Sequence, residues 1–319
     1  MKSFLSLIRW NQLLLIALVQ YVMRYTVVQP LVRLYGFELQ LSAFTFFCLV
    51  LSTICTAAAG YAINDYFDVR TDAINRPDKV VVGKHIGRRK AMLTHIVLSL
   101  AGILLGGYVT WKAGVTHLVI LFIMVAGILW LYSFIYKRQF LIGNLIVALF
   151  MAFVPLLALM DIPLLNRIYR QELLEVHANF NLVIFWVLGF SGFAFLVSLS
   201  REIIRDTEDF EGDKAYGFRS IVLVLGTNAA KWAVIGIHLL LIVILGGVFW
   251  FFLSETFEGQ TDFLTFFYFL FLLIAPLVYT GWNMYRAKDG KDYHVIGRWM
   301  KGILIAGICY GFVVLYMCR

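Results

Sequence analysis

Charge is what this chain has least of. Asp, Glu, Lys and Arg make up 14% of its 319 residues, while 61% are hydrophobic and the mean hydropathy is +0.84; globular proteins carry about 25% charged residues. With so little charge and only 5 prolines, two soluble domains would lack a polar surface, and no long polar stretch offers a disordered segment. Cysteine is scarce too. Cys48, Cys55, Cys309 and Cys318 lie in or beside apolar stretches without a CxxC pair, so they read as packing residues and say little about redox compartment. The composition also argues against a nucleic-acid partner, because the formal net charge of +8 belongs first to the positive-inside bias of membrane loops.

Long apolar runs are what the chain has in excess. A span needs about 20 apolar residues, and that ruler predicts nine helices, near 12–31, 41–62, 91–110, 115–135, 142–160, 181–199, 221–252, 263–282 and 299–317. The fold class is therefore all-α and polytopic, a single membrane domain over 1–319. Lys2 and Arg9 precede the apolar run Leu13 to Val19, but no small-residue cleavage site follows, so this run reads as the first span. The 221–252 stretch is long enough to include an amphipathic lead-in. With the N-terminus inside, all but six of the 27 Lys and Arg fall in inner segments. The six are Arg24, Arg33, Lys112, Arg167, Arg170 and Arg319, and Glu255, Glu258 and Asp262 make one outer connection acidic. This bias predicts an N-inside, C-outside protein of the inner (cytoplasmic) membrane, with its charged connections facing the cytoplasm and anionic lipids around it.

Two inner connections carry more charge than orientation requires. The first reads Asn64-Asp65-Tyr66-Phe67-Asp68-Val69-Arg70-Thr71-Asp72, and the second contains Asp206, Asp209 and Asp213. Both aspartate sets step by three and then four. On a helix such positions share a face, so each set projects three like charges from the end of a span. A hard cation relieves that repulsion, and Mg²⁺ held by carboxylates and a substrate phosphate is the usual arrangement. The two connections are an even number of spans apart and emerge on one side. Bases for an anionic substrate lie close by: Arg76 and Lys79 after the first set, Lys137 and Arg138 after Tyr132, and Arg201 and Arg205 before the second set. Positive-inside anchoring accounts for Arg88, Arg89, Lys90, Arg138, Lys288 and Lys291, while Arg76, Lys137 and Arg201 read as functional.

At Asn64-Asp65-x-x-Asp68-x-x-x-Asp72, followed by Asn75-Arg76-Pro77, the sequence resembles the UbiA superfamily of intramembrane prenyltransferases. Asp209-x-x-x-Asp213 with Gly217 and Arg219-Ser220 resembles that family's second aspartate motif, and Tyr132 and Lys137 ahead of Gly143-Asn144 resemble its Tyr/Lys region. The resemblance implies nine helices around a central cavity and a Mg²⁺-dependent polyprenyl transfer from a polyprenyl diphosphate donor. Carried over residue by residue, it makes Asp68, Asp72, Asp209, Asp213 and Lys137 catalytic. Asn64, Asp65, Asp68, Asp72, Asp206, Asp209 and Asp213 become metal-holding, with Asp65 and Asp206 the weaker pair, and Arg76, Lys137, Tyr132 and Arg201 become diphosphate-binding. The chemistry agrees: metal and basic groups neutralise a departing diphosphate, and a dry aromatic cavity shelters the allylic cation left behind.

Within that family the run from Arg201 to Asp213 resembles most closely the branch that prenylates geranylgeranylglyceryl phosphate, which implies a lipid-type acceptor hydroxyl. The Glu211-Gly212-Asp213 ending is shared with homogentisate prenyltransferases and chlorophyll synthases, so an aromatic acceptor of the hydroxybenzoate, naphthoate or homogentisate type is the alternative. One departure bears on the acceptor: many members continue past Arg76-Pro77 with a second Arg-Pro and Ser-Gly, whereas this chain has Val80-Val81-Val82. A divalent-cation transporter is a distant alternative. Transporters place charge near the bilayer midplane, and the spans near 41–62, 91–110, 142–160, 181–199 and 263–282 hold none before their ends. An alcohol phosphatidyltransferase is a further option, but its Asp-Gly-x-x-Ala-Arg signature is missing.

Overall fold

The computed structural model describes residues 2–175, 179–254 and 262–318. Glu255, Glu258 and Arg319, and the side chains of Lys2 and Lys79, lie outside the described residues. Among those described, nine helices are long and apolar enough to cross a membrane: α1 (Trp10–Leu34), α2 (Ala43–Asn75), α3 (Arg88–Lys112), α4 (Thr116–Phe134), α5 (Ile142–Ile168), α6 (Asn181–Glu208), α7 (Thr227–Leu253), α8 (Phe263–Arg286) and α9 (Gly290–Met317). The chain is an integral membrane protein. The 221–252 stretch divides as expected, into a short helix Ile221–Leu225 and α7, separated at Gly226 with φ +84°.

Packing follows the chain around a ring. α2 packs on α1, α3 and α4; α6 packs on α5, α7 and α9; α7, α8 and α9 follow one another, and α9 closes onto α1. Outer helices turn apolar side chains outward, among them Leu104 on α3 at 73% exposure and Phe251 on α7 at 75%. In a membrane protein such exposed residues face lipid.

Several helices outrun the 20-residue ruler, and each excess has a cause. α2 continues 13 residues past position 62 because the acidic run stays helical until Pro77 stops it. At its start Ser42 caps the helix by accepting from the Thr45 N–H at 3.1 Å. α9 starts at Gly290 rather than near 299, set by a capping box between Asp289 and Asp292. α5 runs on past Pro155 through a tight turn at Leu157–Asp161 to Ile168.

Arg24, counted with the outer charges though inside the predicted 12–31 span, lies within α1, is buried, and pairs with buried Asp161 of α5 at 2.8 Å. Asp161 also accepts from the N–H groups of Gln40 and Leu41, and Arg24 donates to the Leu41 carbonyl. The pair therefore ties α1 and α5 to the connection before α2. The Val80–Val82 run also finds its place: Val81 and Val82 are buried with Leu7, Ala62 and Ala91, folding the connection after α2 back against that helix.

Candidate active site

The last turns of α2 carry the first aspartate set. Asn64 and Asp68 are buried, and Asp72 lies one turn further on. Proline disfavours helical backbone in the residue before it, so Pro77 ends α2 at Asn75 and leaves Arg76 outside the helical region with φ −148°. Released from the helix, Arg76 reaches Asp209 with one guanidinium nitrogen, 2.9 and 3.1 Å from the two carboxylate oxygens.

The second set does not lie on one continuous helix. α6 carries Asp206 and ends at Glu208; Asp209 sits at the break, and Asp213 lies on the short helix Phe210–Ala215. That short helix packs against α2. The Gly212 N–H donates to the Asn75 side-chain oxygen at 2.8 Å, and a Cβ on Gly212 would meet that side chain at about 2.4 Å. Only glycine allows so close an approach. Asn75 and Arg76 thus fasten the tail of the first motif to the second, through Gly212 and Asp209.

A third segment completes the site. Lys137, on the turn after α4, forms an ion pair with Asp68. The turn is held in place by the Arg219 N–H donating to the Arg138 carbonyl at 3.0 Å. Gly143, in the first turn of α5, lies so close that a Cβ there would meet the Lys137 backbone at 3.1 Å. Asn144 donates to Asp206 at 2.9 Å.

These segments line a cleft with about 600 Å³ of empty space, counted out to its open mouth. Its wall includes Asp72, Asn75, Tyr132, Lys137, Arg205, Asp206, Asp209 and Asp213. Asp213 is buried and its carboxyl is pushed up to about 7. Desolvation is the leading cause; Lys137 and Arg205 lower the value, while Asp209 and Asp68 raise it.

Among the described residues no three Asp, Glu, His or Cys side chains are already gathered into a metal site. Cations of the protein hold the carboxylates instead, Lys137 on Asp68 and Arg76 on Asp209. The donor set nevertheless fits Mg²⁺: its groups are hard oxygens, and the buried Asn64 side-chain oxygen has no hydrogen-bond partner.

Residues 31–305 match the UbiA prenyltransferase family. The chain belongs to that family. It is therefore a prenyltransferase. It is 26% identical to the digeranylgeranylglyceryl phosphate synthase of Methanosphaera stadtmanae, over 82% of this chain and 86% of the relative. A second synthase of that name, from Pyrococcus horikoshii, is 32% identical over 53% and 52% of the two chains. In fold the chain is similar to a UbiA homologue from Archaeoglobus fulgidus solved with DMAPP and Mg²⁺, at TM-score 0.62 and 18% identity, covering 98% and 99% of the two chains. A UbiA homologue from Aeropyrum pernix is similar at TM-score 0.62 and 13% identity, covering 98% and 97%.

In this UbiA chain the two motifs meet at one cleft lined by Asp72, Asp206, Asp209 and Asp213, while Asn64, Asp68 and Arg76 stand outside its lining. Asp65 turns aside: it pairs with Arg9 at 2.8 Å and is not among the residues lining the cleft. Asp206 lines the cleft but is held by Asn144. Arg201 is absent from the lining, where Arg205, one helical turn on, takes that position. Sequence reasoning assigned no role to Glu202, Asn144 or Ser220. Asn75 stood inside the quoted Asn-Arg-Pro run, the one available signal for the Gly212 contact.

Proposed function

We propose that the protein transfers a polyprenyl group from a polyprenyl diphosphate to the hydroxyl of a lipid-type acceptor, a prenylglyceryl phosphate, releasing diphosphate. The observation that carries this reading is the meeting of both aspartate motifs at one cleft, with Arg76 and Lys137 already on their carboxylates. The acceptor class is supported by the relatives, which are digeranylgeranylglyceryl phosphate synthases. Donor and metal are supported by the similar fold solved with DMAPP and Mg²⁺.

In this reading Asn64, Asp68, Asp72, Asp209 and Asp213 hold Mg²⁺, while Arg9 and Asn144 keep Asp65 and Asp206 in supporting positions. Bound Mg²⁺ supplies neutralising charge for the departing diphosphate. Lys137 and Arg76 exchange their carboxylates for diphosphate oxygens as the allylic C–O bond breaks. Tyr132, a half-buried ring on the cleft wall, faces the developing cation. The acceptor oxygen then bonds to the allylic carbon and its proton passes to a cleft carboxylate.

The chain acts as one domain over 1–319. Its N-terminus and cleft face the cytoplasm of an inner (cytoplasmic) membrane and its C-terminus lies outside, a disposition supported by the Lys and Arg bias. In a cysteine-free background, Lys288→Cys labels with an impermeant thiol reagent only from the cytoplasmic side; labelling from outside reverses the assignment.

The test is product mass from purified protein, Mg²⁺ and geranylgeranyl diphosphate, with prenylglyceryl phosphate, glycerol phosphate and aromatic acids compared as acceptors. An ether of prenylglyceryl phosphate is expected. An aromatic adduct alone would move the protein to quinone-type chemistry.

A further inference from the structure

Two polar groups on the cleft wall have no part in the reading above, on which this inference rests. Arg205 lies in the cleft lining with its side chain 29% exposed. It forms long ion pairs with Asp209 at 3.5 Å and Glu202 at 3.7 Å, and among the described residues it makes no side-chain hydrogen bond to either. The other cations are held more closely: Lys137 is hydrogen-bonded to Asp68 and Arg76 to Asp209, both metal-holding carboxylates in the proposed reaction.

Ser220 lines the same cleft, is buried at 8% exposure, and its hydroxyl has no hydrogen-bond partner. It stands just before the short helix Ile221–Leu225 yet does not cap it. A buried hydroxyl without a partner is rare, and each one calls for an explanation. A guanidinium adds five donors in a planar fork suited to phosphate. Gln139 and the first turn of α5, at Gly143 and Asn144, complete that wall, and the start of a long helix favours negative charge.

We propose that Arg205 and Ser220 bind the phosphate of the acceptor, forming a second anion subsite beside the one for the donor diphosphate. A tetrahedral phosphate offers oxygens to the arginine fork and to the serine hydroxyl together. The subsite makes a phosphate monoester a requirement for the acceptor and holds its free hydroxyl toward the donor.

A phosphate could equally be the donor's, and kinetics separates the two. Arg205→Gln is expected to raise the acceptor KM about 10- to 100-fold, the range of a lost charged hydrogen bond, with the donor KM within about twofold of wild type. Arg205→Lys recovers part of the loss, Ser220→Ala gives a smaller rise, and Arg88→Gln, the same charge change on the surface, gives none. Prenylglycerol without its phosphate is used poorly, and equally by wild type and Arg205→Gln. An unchanged acceptor KM, or an equal rise in the donor KM, overturns the inference. Failure of the parent reading looks different: the wild type itself then makes no ether product.

Discussion

Asp213 is a cleft residue whose protonation responds to what fills the cleft. Burial penalises the charged form and pushes its carboxyl up to about 7, against about 4 for a free aspartate. The sign follows from linkage: folding favours the protonated acid, so stability is greatest below about pH 4 and is lost as pH rises toward 7. Mg²⁺ competes with that proton. Saturating Mg²⁺ should therefore raise the Tm more at pH 8 than at pH 5.5, measured by thermal unfolding in detergent; an equal rise at both values would remove Asp213 from the metal site. The aspartate steps made this residue legible in the sequence, because a repeated three-then-four spacing is a property of neighbouring positions. Its surroundings were not legible. Asn144 comes from another helix, and Arg205 replaces Arg201 at the cleft because one turn of α6 decides which arginine faces inward.

At the scale of elements, the chain end of α2 and the short helix Phe210–Ala215 act as one unit through Asn75 and Gly212. Gly212→Ala forces its methyl onto Asn75 and should lower kcat at least about tenfold, as small displacements at a reacting site do. In an Asn75→Ala background the same substitution should cost little more, since the clash and the hydrogen bond share one partner. Additive losses in a double-mutant cycle would show that the two do not act through each other. Away from the site, Asp161→Asn leaves Arg24 buried without its countercharge and should cost about 3–5 kcal/mol, read as a fall in Tm. A change confined to activity would contradict the tie between α1 and α5. Hydropathy predicted all nine helices but not their ends. The end of α2 is set by Pro77, the extension of α5 holds the Asp161 partner of Arg24, and the start of α9 is set by the Asp289 cap, none of which a hydropathy ruler weighs.

For the whole molecule, the ring of helices matters because it brings the ends of α2 and α6 together although 133 positions separate Arg76 from Asp209. Nine apolar runs and an even number of spans between the motifs sufficed to predict that both emerge on one face. The closing contacts, Arg219 to the Arg138 carbonyl and Asn75 to Gly212, depend on tertiary packing. The central claim is that the two motifs form a single metal-dependent site, and it is tested most directly by diphosphate release in one set of reactions. Wild type, Asp68→Ala and Asp213→Ala are incubated with geranylgeranyl diphosphate and acceptor, with Mg²⁺ or with a chelator. The account predicts release only from wild type with Mg²⁺, while both variants remain folded in the membrane. Full release in chelator, or wild-type rates from both variants, would contradict it.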